Sequence, residues 1–377
     1  RSTDGGATWV PVFSTSEAIN DIALRPVAVY LGIDALGVVR GAIGGTSWRE
    51  VNDGLTAAQV TRIVPAPQGG ALYAAVRTFH DGFRARGLGV WKSDDGGANW
   101  EPVNAGLGAA LVANLTADHR RPGTLYAATN VGLFKTDDGG AGWRRLESLP
   151  LTTVRDVALD LFDSQVVYAV GDWKVDGATF SAAFRSLDGG ATWKQIHTGI
   201  FTGILIDLWN PGTVYLGGPG AIFRTADRGT TWESVGSGWA AGRERMVSGP
   251  SPGRLAGIAP TPIGPPGFDP TAPRPTLNYL FDSFDAGAHW RNVALPGGPA
   301  SSNQVMDLAR SAVPASPVYA ASLYGVARML PGARQWRAVG TRRFEALSVA
   351  VDPRDPGRLY AGTADGQVLV LDSSGGQ

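Results

Sequence analysis

One eight-residue pattern, Ser/Thr-x-Asp-x-Gly-x-x-Trp, constrains this chain more than any other feature. It occurs in full at Ser2 to Trp9, Ser93 to Trp100, Thr136 to Trp143, Ser186 to Trp193, Thr225 to Trp232 and Ser283 to Trp290. Degenerate copies end at Trp48, with Ile43 in the Asp position, and at Trp336, with Pro331 there. The eight Trp residues stand 39, 52, 43, 50, 39, 58 and 46 residues apart. A mean period of about 47 residues matches a four-stranded propeller blade rather than a turn of β-helix.

Each repeat reads as four antiparallel strands: a mixed run such as Val154 to Leu159, a short run such as Leu125 to Thr129, an apolar run into the octapeptide such as Gly132 to Lys135, and a strand from the Trp such as Trp143 to Leu146. The expected fold is an all-β, single β-propeller domain over 1–377 with eight four-stranded blades, or seven if one repeat stays outside the circle. The last repeat supplies three strands, Leu347 to Val351, Leu359 to Gly362 and Gln367 to Leu371, and the missing one stands at the start, Arg1 to Val12. A closing blade shared between the termini is therefore predicted, and it removes the free sheet edges. Composition agrees: 52 Gly and 25 Pro in 377 residues suit turns, and the run lengths contain no apolar stretch of the roughly 20 residues a membrane helix needs. Lys+Arg and Asp+Glu balance at 33 each, which disfavours nucleic acid. With zero Cys there is no disulfide, thiolate metal site or Cys nucleophile. Arg1 opens the chain in mid-motif, so a processed or trimmed N-terminus and an exported, periplasmic or extracellular location are expected.

In the octapeptide the Asp suits accepting turn N–H groups, the hydroxyl adds a further bond, the Gly takes positive φ and the Trp anchors the hairpin. Asp4, Asp95, Asp138, Asp188, Asp227 and Asp285, with Trp9, Trp100, Trp143, Trp193, Trp232 and Trp290, are read as structural staples, since chemistry would not repeat round a ring. The pattern resembles the signature of the Asp-box, or BNR, repeat family, over essentially the whole chain. That family includes sialidases, xyloglucan-type glycoside hydrolases, sortilin-like receptors and photosystem II assembly factors. The chain departs from sialidases in carrying Arg62-Ile63-Val64-Pro65 where they carry Arg-Ile-Pro, and from xyloglucan hydrolases, which use two propellers. In style it is most similar to single-propeller assembly factors and related bacterial exported propellers.

Aligning the first strands on their apolar pairs places Asp21, Arg62, Asn114, Asp156, Asp207, Met246, Asp307 and Ser348 at one equivalent position round the channel, with Arg155 and Arg245 beside it. Paired carboxylates are what glycoside hydrolysis requires, and Asp156 with Asp207 is the best pair, Asp21 and Asp307 being further candidates. Insertions at about 77–89, 171–183 and 249–276 fall between second and third strands and crowd one face. Phe79, His80, Trp173 and Trp209 are candidates to stack on sugars or anchor a protein; the nine Pro from Pro250 to Pro275 suggest an extended arm. Lone His residues and Gly-Gly-Pro-Gly in a hairpin turn give no metal or phosphate site, and no cofactor is expected. The leading expectation is a non-enzymatic scaffold that binds a protein partner. The rival is a carbohydrate-active protein, hydrolase or lectin.

Overall fold

The structure is a computed structural model. It describes residues 11–372 except 18, 26, 34–35, 43–46, 56–58, 68–69, 81–83, 219–220, 238–244, 261–277, 294, 296–304, 311–315, 340–344, 352–357 and 364–366. Side chains are also outside it at 11, 59, 78–80, 84–86, 236–237, 245, 259–260, 278–279, 292, 358 and 367–372. Asp4 and Trp9 thus lie outside the described residues.

Thirty-two strands form eight four-stranded antiparallel sheets, and no described residue is helical. The innermost strands of blades 1 to 8 are Ile19–Arg25, Gln59–Pro65, Val112–Ala117, Thr153–Leu159, Gly203–Ile206, Arg245–Ser248, Val305–Arg310 and Ala346–Val351. Each packs beside the next, and the last packs beside Ile19–Arg25, which closes the ring. In blade 8, Pro11–Ser14 pairs with Gln367–Asp372 through Pro11↔Leu369, Phe13↔Val368 and Ser14↔Gln367. The chain's two ends therefore share one sheet, as the half-repeats at each end predict.

The octapeptide turns work as hairpin staples wherever they are described. In blade 3, Thr136 Oγ1 donates to Asp138 Oδ1 (2.6 Å) and accepts from Gly140 N (3.0 Å), while Gly142 N donates to Asp138 Oδ1 (3.0 Å). Ser93, Ser186, Thr225 and Ser283 repeat the hydroxyl bond to Asp95, Asp188, Asp227 and Asp285 at 2.7–2.9 Å. The Trp ties one blade to the blade before it. Trp100 Nε1 donates to Val51 O and Trp143 Nε1 to Val103 O, each at 2.7 Å. Trp193 differs: its Nε1 donates within its own turn, to Gly190 O at 3.1 Å.

Two further repeats lock neighbouring blades. The second strands of seven blades carry an apolar residue then Tyr, and Tyr30 and Tyr126 donate their hydroxyls to Gly96 O (2.9 Å) and Gly189 O (3.0 Å) in the next blade's turn. The linkers Val51-Asn52-Asp53-Gly54-Leu55 and Val103-Asn104-Ala105-Gly106-Leu107 use the Asn as a clip: Val38 N and Val90 N each donate to its Oδ1 at 2.7 Å. Gly106, at φ 83°, passes so close to the Trp143 carbonyl that a Cβ there would clash with it.

Hydrogen bonds from the turn hold the Asp95 and Asp188 carboxyls down at about 2, below the ordinary value of 3.8. A depressed folded-state pKa adds stability that is present above the unfolded value and lost as pH falls through the folded one. Acid unfolding followed by Trp fluorescence is therefore expected to lose stability from about pH 4 to about pH 2, and the Asp95→Asn/Asp188→Asn variant to show a shallower slope over that window. Independently, Thr136→Val leaves the Gly140 N–H unpaired in a buried turn and is expected to lower unfolding free energy by about 1–3 kcal/mol in urea.

Candidate functional site

The channel is ringed by the first strands, whose register settles which residues are equivalent. In every blade one inner-strand residue pairs with the fourth position of the second strand's apolar run: Asp21↔Gly32, Arg62↔Ala75, Asn114↔Ala128, Asp156↔Val170, Gly203↔Gly217, Arg245↔Ile258, Asp307↔Ala321 and Ser348↔Gly362. Six of these residues follow a β-bulge, while Gly203–Ile206 and Arg245–Ser248 pair without one. The equivalent members in blades 5 and 6 are therefore Gly203 and Arg245, not Asp207 and Met246. The ring holds three Asp and two Arg rather than four Asp.

Those carboxylates bond one blade to the next. Asp21 Oδ2 accepts from Ile63 N at 2.7 Å, Asp156 Oδ2 from Ile204 N at 2.9 Å, and Asp307 Oδ2 from Val349 N at 3.0 Å. In each case the donor is the residue after the ring position of the following blade. The other oxygen is also engaged: Asp156 Oδ1 accepts from Val157 N (2.8 Å) and Asn114 Nδ2 (2.5 Å), and Asp307 Oδ1 from Leu308 N (2.8 Å). Burial pushes the Asp156 carboxyl up, against the pull of Ile204 N, Asn114, Val157 N and the Arg62 charge. The bulges put a different residue in the open: Asn20 and Ala113 are exposed and Met306 is 41% exposed, while Asp307 is only 7%.

Asp207 stands at the far end of its strand. Trp209 N donates to its Oδ1 at 2.7 Å and Asn210 Nδ2 to its Oδ2 at 3.2 Å. Asp118 and Asp160 occupy the same place in blades 3 and 4, accepting from Arg120 N and Phe162 N at 2.8 Å. All three shape the turn into the second strand. Four residues separate Gly203, opposite Asp156, from Asp207, a run of about 13 Å at strand rise. That exceeds the roughly 5–9.5 Å over which two carboxyls flank a glycosidic bond, so the fold does not bring Asp156 and Asp207 together.

The insertions are hairpins, not loops. Val167–Val175 and Ala178–Ser186 stay paired to Val175↔Ala178, with Asp176 (φ 49°) and Gly177 (φ 82°) at the tip. Leu72–His80 and Arg84–Ser93 pair as far as His80↔Arg84; the Phe79 and His80 side chains lie outside the described residues. The segment expected as an arm from 249 begins instead with a regular second strand, Leu255–Pro260, paired to Asn278–Ser283, and 261–277 lie outside the described residues. Pairing of Thr153 with Asp172 puts the hairpins at the starting ends of the inner strands, so they share one face of the ring.

On that face Arg155 forms an ion pair with Asp172, which also accepts from Ser181 Oγ, and Arg155 Nη1 donates to Phe201 O at 3.4 Å. Trp173 is half-buried: it stacks on Phe180 at 5.6 Å between ring centroids and meets Phe184 edge-on at 6.0 Å. The side chain of Arg245 lies outside the described residues. Trp209 sits with Asp207 on the opposite face, where the octapeptide turns also lie. Its Nε1 donates to Gly249 O at 3.1 Å. It thus shares no surface with Trp173.

Sequence reading overlooked the lower channel. There a cavity of about 510 Å³ is lined by inner-strand residues, among them Ile63, Leu205, Val247 and Val349, with Arg310 as its one charged member. Three positions beyond the ring stand Leu24, Pro65, Ala117, Leu159, Ile206, Ser248, Arg310 and Val351, so a lone charge among eight equivalent positions was the available signal. Among the described residues no group of three or more His, Asp or Glu is placed to hold a metal, and no helix is long and apolar enough to cross a membrane.

No family model and no curated protein matches the chain. Solved structures do. The chain superimposes on the GH74 xyloglucanase of Xanthomonas campestris with TM-score 0.56 and 16% identity, over 98% of this chain and 54% of that one. It thus spans about half that enzyme's length. Sqt1 of Saccharomyces cerevisiae matches with TM-score 0.63 and 12% identity, over 98% and 99%, and a chain of the Mitotic Checkpoint Complex with 0.52 and 11%, over 98% and 92%. The fold is that of the β-propellers.

If the ring carboxylates tie the blades, Asp307→Ala orphans the N–H groups of Val349 and Leu308 and is expected to cost about 2–4 kcal/mol in urea unfolding. A variant as stable as the parent would mean that Asp307 has another role.

Proposed function

We propose that the chain is a non-enzymatic, exported scaffold that docks a protein partner on its hairpin face, as an assembly or accessory subunit of a larger complex. The observation that carries this reading is the apolar surface across blades 3 to 5, where Val131, Val175, Phe180 and Ile200 are 47%, 49%, 47% and 55% exposed. Backbone and side-chain bonds link their supports from blade to blade. Thr153 Oγ1 donates to Asn130 O at 3.4 Å, Thr152 N to Asp172 O at 2.8 Å, and Gly199 N to Ser181 O at 3.0 Å. Large apolar groups held in water on rigid hairpins suit recognition of another protein. Phe79, His80 and the segment at 261–277 are proposed to extend this surface. The Asp-box family reading, drawn from the octapeptide, is compatible with such a scaffold.

The competing reading, a carbohydrate-active protein, draws on the exposed Phe180 ring and on the shared fold of a xyloglucanase. The inter-blade bonding of Asp21, Asp156 and Asp307 weighs against the hydrolase form of it.

The test compares the parent with Val175→Asp/Phe180→Asp/Ile200→Asp as baits in extract of the source organism, alongside a polysaccharide panel. The expected outcome is a retained protein whose recovery falls at least tenfold in the variant while the thermal midpoint is unchanged, since all three side chains are exposed. Equal recovery on both baits, or binding or cleavage of a polysaccharide that the variant loses, would overturn the docking reading.

A further inference from the structure

The lower channel carries a second site, on the opposite face from the hairpins and independent of the docking reading. Its wall is apolar except for the Arg310 guanidinium and Ser248. Arg310 leaves blade 7 at the end of Val305–Arg310 and crosses toward blades 5 and 6. Its guanidinium carbon lies 5.1 Å from the centroid of Trp209, and Nη1 reaches Ser248 O only at 3.5 Å. Nε is buried and without a hydrogen-bond partner. Among the described residues no carboxylate comes within ion-pair distance of Arg310: Asp207, the nearest influence on its charge, is already bonded to Trp209 N and Asn210. Burial correspondingly pulls the Arg310 pKa down.

A guanidinium cannot shed its charge in a protein, so a desolvated and incompletely bonded one leaves a standing demand for an anion. Trp209 holds the plane of the group through a cation–π contact without supplying that anion. The free donors form a fork that matches a carboxylate with two parallel bonds. A single positive charge suits a monoanion better than a phosphate monoester, which carries more charge and would leave part of it unpaired in an apolar cavity. The remaining walls, Ile, Leu, Val and Ala side chains, offer no hydrogen bond and accept only an aliphatic body. A volume of about 510 Å³ falls within the roughly 300–1,000 Å³ of small-molecule sites.

We infer that the lower channel binds an aliphatic monocarboxylate, its head on the Arg310 guanidinium beside Trp209 and its tail along the apolar inner strands.

The test is calorimetric titration of the whole chain with octanoate and with 1-octanol, which share a tail and differ in the head. Octanoate is expected to bind one per chain and at least tenfold tighter than octanol. Arg310→Gln is expected to weaken octanoate at least tenfold and to leave octanol unchanged; Arg310→Lys, which keeps the charge but not the fork, is expected to fall between. The octanoate and octanol comparison on the parent chain decides the matter even if a variant fails to fold. Absence of octanoate binding, equal binding of octanol, or full octanoate affinity in a folded Arg310→Gln would each overturn the inference.

Discussion

Everything in this molecule depends on blade-to-blade contact, because a propeller has no single core. Each four-stranded sheet has two faces to bury and only its neighbours to bury them against. The clusters of buried residues accordingly bridge blades: Tyr30 and Val51 of blade 1 pack with Ile63 and Trp100 of blade 2, and Leu149 and Leu151 join blade 3 to Val154 of blade 4. A ring of this kind is only as sound as its last joint. Pro11–Ser14 completes that joint by adding the outermost strand to the sheet whose other three strands end the chain. Without it, Gln367–Asp372 would present a row of unpaired backbone groups.

Polar groups make these joints directional. Apolar faces alone would let adjacent blades slide, since dispersion contacts have little preferred register. Bonds from the carboxylates of Asp21, Asp156 and Asp307 to the next inner strand, from Tyr30 and Tyr126 to the next turn, and from the indoles of Trp100 and Trp143 to the preceding linker each fix one height along the axis. They act near the axis, in the middle of the blade and at its outer edge. Three radii held at once leave a blade no hinge. This explains why the Asp residues that most resemble an active-site set are structural in their bonding: a carboxylate whose two oxygens accept backbone N–H groups has little left to offer a substrate.

The fold was legible because its information is periodic. Octapeptide, blade length and half-repeats at the two ends all derive from the same unit, and an error in one copy is corrected by the others. The site was less legible because inner strands are short and bounded by Asp at both ends. Asp207-Leu208 reads like Asp307-Leu308 and Asp21-Ile22, yet it stands four residues further along its strand. Period-2 patterning cannot tell one end of such a strand from the other, and a bulge present in six blades and absent from two shifts the count again. Pairing with the second strand resolves the ambiguity. Its apolar-Tyr start, as in Leu125-Tyr126 and Val167-Tyr168, was in plain view and would have moved the ring position from Asp207 to Gly203. The hairpins were found by length, but their pairing to the tip was not, because Trp173 to Phe180 mixes charged and aromatic residues as a loop would.

The same periodicity gives a way to separate function from structure without any relative to compare. At a position where eight blades meet one physical demand, a residue that departs from the others is serving something else. Arg145 and Arg224 are exposed or face carboxylates, Lys135 faces Asp137, and Arg291 faces Asp282; each of these charges is answered by the protein itself. Arg310 occupies a position where the other seven blades place Leu, Pro, Ala, Leu, Ile, Ser and Val, and the protein supplies it with an aromatic face and a distant carbonyl. Packing does not require a charge there, since seven of eight blades manage without one. A desolvated guanidinium at that place lowers stability relative to the apolar residue the ring otherwise uses. Its presence is therefore best explained by something that enters the channel to meet it, and the apolar walls around it set the chemistry of the remainder of that molecule.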